Sequence, residues 1–147
     1  MENITIKVKK LDPRAVLPAR GSAFAAGADL CACLDEDIVI KPGETVFIHT
    51  GLTAEIPEGY AGLVFARSGL ASKSGLAPAN KVGVVDSDYR GEYMVALLNH
   101  GPEPVTVSPG QRVAQLVVVP VAFTNFIEVD ELSDTQRGAG GFGSTGK

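Results

Sequence analysis

The sequence predicts an all-β domain, and three observations predict it. Apolar and polar residues alternate with a period of two along most of the chain, glycine and proline interrupt that alternation at short intervals, and no window of a dozen residues carries a helical stripe. Many short strands joined by turns point to a sandwich, a jelly roll or a barrel.

In chain order, "ITIKVKK" (4–10) alternates from its start, and "DIVIKPGETVFIHTGL" (37–52) reads as two strands joined at Pro42-Gly43. "GYAGLVFA" (59–66) follows as a strand, then "SGLASKSGL" (68–76), whose internal glycines allow a helical turn or two at most. "GVVDSDYRGEYM" (83–94) reads as a hairpin with a charged tip, and "GEYMVALLN" (91–99), "EPVTVSPGQRVAQLVVVPV" (103–121) and "FIEVDEL" (126–132) continue the strand pattern. Residues 1–132 therefore form the β-rich body of a single domain. Residues 133–147, "SDTQRGAGGFGSTGK", hold one aromatic and little else apolar, so alone they cannot offset their ordering entropy and read as a flexible C-terminal arm.

The chain has 147 residues, enough for one domain with its own core and no need of disulfide or metal staples. No apolar run approaches the roughly eighteen residues of a membrane span, and the N-terminus lacks a signal-peptide core, so cytoplasmic residence without membrane partners is expected. A formal net charge of -4 argues against wrapping a nucleic-acid backbone, which requires several phosphates to be neutralised, but leaves room for a small anionic substrate. Cys31 and Cys33 read as packing residues, and His49 and His100 as structural ones.

The ending "GGFGSTGK" (140–147) fits two nucleotide-binding patterns at once: Gly141, Gly143 and Gly146 fit G-x-G-x-x-G, and Gly141 through Lys147 fit G-x-x-x-x-G-K. Both patterns need a helix to begin where this sequence stops, so neither holds. What survives is narrower. Glycines allow backbone N–H groups to approach a phosphate, Ser144 and Thr145 add hydroxyls, Arg137 adds a forked cation, and Phe142 offers a stacking face.

Three more stretches place polar groups where the strand pattern does not ask for them. "ARSGLA" (66–71) sets Arg67, Ser68 and Gly69 in one turn; the tip of "GVVDSDYRGEYM" carries Asp86, Asp88, Tyr89, Arg90 and Glu92; and "AAGADLCA" (25–32) puts Asp29 among small and apolar neighbours, where an acid is costly unless it faces water or a metal. Asp88, Arg90 and Glu92 read as a solvated tip.

Together and in this order, the pieces resemble the homotrimeric dUTP pyrophosphatases (dUTPases), whose five ordered motifs match "AGADL" (26–30), "ARSGLA" (66–71), "NKVGVVDSDYRGE" (80–92), "GQRVAQLVV" (110–118) and "RGAGGFGSTG" (137–146). The resemblance implies a β-clip or distorted jelly-roll-like subunit, a homotrimer with active sites shared between subunits, and Mg2+-dependent hydrolysis of dUTP to dUMP and pyrophosphate. Such an activity keeps uracil out of DNA and supplies dUMP for thymidylate synthesis. Carried over by position, it makes Asp86 the general base; Arg67, Ser68, Gly69 and Gln115 donors to the phosphates; Asp29 the holder of magnesium through water; Asn80, Val84, Val85 and Met94 readers of uracil; and Tyr89 the platform for deoxyribose. Phe142 stacks on the base while Arg137, Gly143 and Ser144 contact the triphosphate. A carboxylate is ionised at neutral pH and needs only placement to act as a base. The alternatives are a dCTP deaminase-type relative and a non-catalytic nucleotide-binding regulatory module of the same fold.

Overall fold

The computed structural model describes residues 4–142. It contains twelve strands and one helix among those residues, and every strand pairing is antiparallel. The elements are β1 (Lys7–Lys10), β2 (Ala19–Arg20), β3 (Ala28–Cys31), β4 (Ile38–Ile40), β5 (Thr45–His49), β6 (Leu52–Glu55), β7 (Tyr60–Ala66), α1 (Ser68–Ser74), β8 (Leu76–Pro78), β9 (Gly83–Val85), β10 (Met94–Asn99), β11 (Val105–Val107) and β12 (Arg112–Pro120). The expectation of an all-β, jelly-roll-like domain with one short helix is borne out.

The strands form four sheets, ordered β2-β3-β12-β7-β9, β5-β10-β8, β1-β6 and β4-β11. Each is small, so the domain holds together through what lies between the sheets. Leu30 of β3, Ile40 of β4, Ile48 of β5, Leu97 of β10, Val107 of β11 and Val113 of β12 are all essentially removed from solvent and belong to one cluster. Their spacing is the period-two pattern seen in the sequence: in β10, Val95, Leu97 and Asn99 face in while Met94 faces out.

Two expectations about pairing need correction. The strands flanking the 86–93 loop are not a hydrogen-bonded hairpin, because β9 pairs with β7 whereas β10 pairs with β5 and β8. The chain leaves one sheet at Val85 and enters another at Met94, and the cleft between those sheets is where the charged loop sits. Nor is "FIEVDEL" a strand. From Val121 onward the described chain is irregular and exposed, with Phe126, Ile127 and Leu132 each more than four-fifths accessible. A strand needs a ladder partner for its N–H and C=O groups, and within the described residues this stretch has none.

Candidate active site

Six residues singled out in the sequence line one cavity of about 240 Å³: Asn80, Val84, Val85, Asp86, Tyr89 and Met94. Pairing explains what this cavity can recognise. β9 is the outermost strand of its sheet and pairs only with β7, while β8 covers β10 only from Leu97 onward. Two stretches of backbone therefore border the same space with N–H and C=O groups free of ladder partners on one side, which suits the edge of a planar heterocycle. The volume falls below the roughly 300–1,000 Å³ of clefts that bury a whole drug-sized ligand, so this cavity alone encloses only part of a larger molecule.

Asp86 is exposed at the rim, and its carboxylate has no hydrogen-bond or ion-pair partner among the described residues. Tyr89 is positioned from three directions: its hydroxyl donates to the Glu92 carbonyl at 3.0 Å, its ring stacks near Tyr93 with centroids 6.2 Å apart, and it closes over Gly91. A Cβ at Gly91 would collide with the Tyr89 ring and hydroxyl, so a larger residue there would push the ring from this position.

A second group lies apart from this cavity, on the sheet containing β3, β7 and β12. Gln115 stands opposite Asp29 in the β12–β3 ladder, so their side chains share a face. Asp29 accepts from Arg67 Nε at 2.8 Å and from Arg112 at 3.3 Å, and the Gln115 amide donates to the Ala66 carbonyl at 2.9 Å. A Cβ at Gly27 would overlap the Gln115 side chain, which passes directly over that glycine. Arg67 sits between the end of β7 and the start of α1, with Ser68 and Gly69 exposed in the first turn of the helix.

Arg112 escapes the sequence reading for a physical reason. It stands three positions from Gln115, so strict alternation would send the two side chains to opposite faces. A register shift between Arg112 and Ala114 inserts one extra residue, buries Val113 and Ala114 in succession, and returns Arg112 to the face of Asp29 and Gln115. The bulge gathers two guanidiniums around one carboxylate.

Of the arm residues, the described Arg137 and Phe142 join neither group within the chain. Arg137 Nε donates to the Gly140 carbonyl at 2.8 Å, and Phe142 is fully exposed. Gly143 and Ser144 lie outside the described residues. Glu92 also departs from expectation, since its side chain is only 22% exposed and bonds to both Gly51 N–H and His49. It is no solvated tip residue, and His49 is its partner. Cys31 and Cys33 are unpaired and partly buried, and burial pushes both thiols upward, away from the reactive thiolate form.

For a cation, no cluster of three or more His, Cys, Asp or Glu side chains occurs among the described residues. A protein cage for a metal is therefore not offered here. An ion that keeps most of its waters needs fewer protein ligands than such a cage, and the Asp29 carboxylate is one acceptor that could face those waters.

The profile of the dUTPase family matches residues 14–146. The chain belongs to the dUTPase family. Among similar dUTPase-family proteins is the deoxyuridine 5'-triphosphate nucleotidohydrolase of Syntrophotalea carbinolica, 50% identical over 146 residues and matched over 99% of both chains. That of Desulfitobacterium hafniense is 52% identical over 149 residues, again with 99% of each chain covered. A Staphylococcus bacteriophage 80alpha dUTPase mutant solved with dUpNHpp superposes with a TM-score of 0.87 at 30% identity, covering 97% of this chain and 99% of that one. A mutant dUTPase from phage phi11, described with a structural Mg(II) ion, superposes with a TM-score of 0.80 at 27% identity, covering 88% of this chain and 99% of that one.

Proposed function

We propose that this dUTPase-family chain hydrolyses dUTP to dUMP and pyrophosphate. The observation that carries the reading is the convergence of Asp86, Tyr89, Asn80 and two open strand edges on one cavity. Asp86 accepts a proton from the water that attacks the α-phosphorus. The bond from that phosphorus to the bridging oxygen breaks, and pyrophosphate leaves. Asp86 sits at the rim with no partner among the described residues to compete for its lone pairs, as a base that acts by placement requires.

Arg67, Ser68, Gly69 and Gln115 donate to the phosphate chain, where charge spreads as the bond breaks. Asp29 would hold magnesium mainly through its water ligands, and the ion, when bound, supplies neutralisation of the phosphate charge. Backbone groups at Val84, Val85 and Met94, with the Asn80 amide, read uracil; fixed donors and acceptors that suit uracil leave unpaired groups against cytosine. A methyl at the position thymine carries would meet the cavity wall, and Tyr89 against the sugar leaves no space for a ribose hydroxyl.

The active unit is a homotrimer. Support comes from the division of the site, since the base cavity and the Asp29–Arg67–Gln115 group occupy separate parts of one chain and the described part of the arm, through Phe142, hydrogen-bonds to neither. The exposed apolar side chains of Phe126, Ile127 and Leu132 point the same way. In such an assembly Arg137, Phe142, Gly143 and Ser144 close over the site of a neighbouring subunit. Cytoplasmic residence belongs to the same proposal, although the described structure says only that no helix is long and apolar enough to cross a membrane.

The test is pyrophosphate release from dUTP, dTTP, dCTP and UTP in the presence of magnesium. Turnover of dUTP far faster than of the other three is expected; equal rates on all four would sink the specificity, and ammonia release from dCTP would favour deamination. Asp86→Asn should lower kcat by roughly 10²–10⁴-fold, the range of a lost general base. Sedimentation should give three times the chain mass, and a monomer at micromolar concentration would contradict the shared site.

A further inference from the structure

The loop from Asp86 to Tyr93 carries the residues read above as meeting the sugar and the water, yet it has no ladder pairing of its own. Its position must come from side chains and isolated backbone bonds. Those bonds converge on a single segment, residues 49–53. Tyr93 N–H donates to the Leu52 carbonyl at 2.8 Å, the Thr50 hydroxyl donates to the Tyr93 carbonyl, and the Thr53 hydroxyl donates to the Arg90 carbonyl at 2.9 Å.

Glu92 joins the loop to that segment most directly. One carboxylate oxygen accepts from Gly51 N–H at 2.8 Å and the other from His49 Nδ1 at 2.8 Å; a carboxylate that only accepts obliges the ring to carry its proton on Nδ1. Gly51 is a fixed point. It is buried, has a φ of 66°, and packs so closely against Ala15 and Cys33 that a Cβ would come within 3.0 Å of both. Its carbonyl is held as well, by Leu11 N–H at 2.7 Å. From the same residue the Glu92 carbonyl accepts the Tyr89 hydroxyl. One residue thus connects an immobile glycine to the ring that faces the sugar.

We propose that Glu92 is a positioning residue for this reaction, setting the Tyr89 ring and the Asp86 carboxylate through its hold on Gly51 and His49. The inference rests on the dUTP-hydrolase reading above. Misplacement of reacting groups by about 1 Å can cost on the order of 10²-fold in rate, so the hold need slip only slightly to be felt.

The experiment measures kcat and KM for dUTP and UTP in the parent, Glu92→Ala, Glu92→Gln and His49→Ala. Losing an acceptor beneath a buried N–H also destabilises the fold, so the deciding quantity is the ratio of kcat/KM for dUTP to that for UTP, which does not depend on how much protein is folded. Glu92→Ala is expected to lower kcat by at least about 10-fold and to reduce the dUTP:UTP ratio, because Tyr89 no longer holds its place against a ribose hydroxyl. Glu92→Gln should restore most of both, since its carbonyl still accepts from Gly51 while its amide donates to a reoriented His49 tautomer. His49→Ala, at an exposed site, should lower the ratio by a smaller factor; it decides the matter if Glu92→Ala does not fold. A dUTP:UTP ratio unchanged from the parent in Glu92→Ala, or in His49→Ala should it have to decide, overturns the proposal. So does a Glu92→Gln enzyme as impaired as Glu92→Ala. A parent that does not turn over dUTP at all overturns the functional reading, and this inference with it.

Discussion

Arg67 donates through Nε to one carboxylate oxygen of Asp29 at 2.8 Å, and the other oxygen faces Arg112 at 3.3 Å. One acid therefore orients two cations on a chain whose formal net charge is -4. In the proposed function a triphosphate meets these two cations here, among residues gathered from β3, the β7–α1 junction and a bulged β12.

Removing Arg112 should separate binding from folding. Its side chain is 57% exposed and its contact with Asp29 is long, so the pair contributes little to stability, within the ~0–1 kcal/mol of surface ion pairs. Arg112→Ala is expected to raise KM for dUTP several-fold and to make KM rise less steeply with salt, since one cation fewer faces the anion, while Tm stays near the parent's. Asp29→Asn should instead weaken magnesium dependence. A magnesium titration of activity in both variants, with melting curves alongside, distinguishes the two effects.

Deleting the chain from Arg137 onward should leave the body intact. The described part of that segment makes its hydrogen bonds within the arm, and Phe142 touches no core residue. The truncated protein is expected to keep the parent's Tm and mass by sedimentation and to lose most turnover, as loss of a closing element does. Full activity after truncation would exclude the arm from the site.

Asn99 should prove the most expensive polar residue to replace. It is 1% exposed, and its side chain donates to the Ile40 and Glu103 carbonyls at 2.9 and 2.7 Å while accepting from Gly101 N–H at 2.8 Å. Asn99→Leu leaves three backbone groups without that partner in a buried place, at a cost of about 1–3 kcal/mol for each group that water cannot reach. Urea unfolding should show a lower midpoint with an unchanged slope, and a midpoint equal to the parent's would refute the assignment.

Acid stability carries a signature of Asp12. The Arg14 guanidinium hydrogen-bonded to it, helped by the Arg14 backbone N–H, lowers its carboxyl from an ordinary 3.8 to about 2. A depressed folded value means that the contribution is present in full above pH 3.8 and is lost as pH falls toward about 2. Because the pair is solvent-facing, salt should shrink the effect. Stability measured from pH 5 to 2 is expected to fall less steeply in Asp12→Asn than in the parent, and parallel curves would show that the pairing is absent in solution.

Much of the fold was readable because strands and turns are local. The alternation in "MVALLN" and the glycines after Pro42 and Pro109 follow from backbone sterics and a two-residue period, which neighbours in sequence suffice to reveal. That Asn80, Val84, Val85, Asp86, Tyr89 and Met94, which line one cavity, belong to one candidate site was readable too, through the resemblance of "NKVGVVDSDYRGE" to a known motif. Glu92 was not, because a glutamate in a charged loop is ordinarily solvated, and nothing near it in sequence announces Gly51 or His49 as partners. Arg112 was hidden by the same alternation that revealed the strands. The stretch 126–132 was read as a strand because its pattern is right, but a pattern cannot supply a ladder partner.

By itself, then, the sequence determined the class of the domain, where several of its strands run, the family, and the residue types at its candidate site. Only the tertiary structure decided which strands pair, that β9 and β10 diverge into separate sheets around the cavity, that a bulge turns Arg112 toward Asp29, and that Glu92 fastens the loop to Gly51. The reason is one of range. Local conformational preference acts over a few bonds, whereas pairing, register and burial are settled by contacts between residues tens of positions apart, each competing with every other partner the chain can offer.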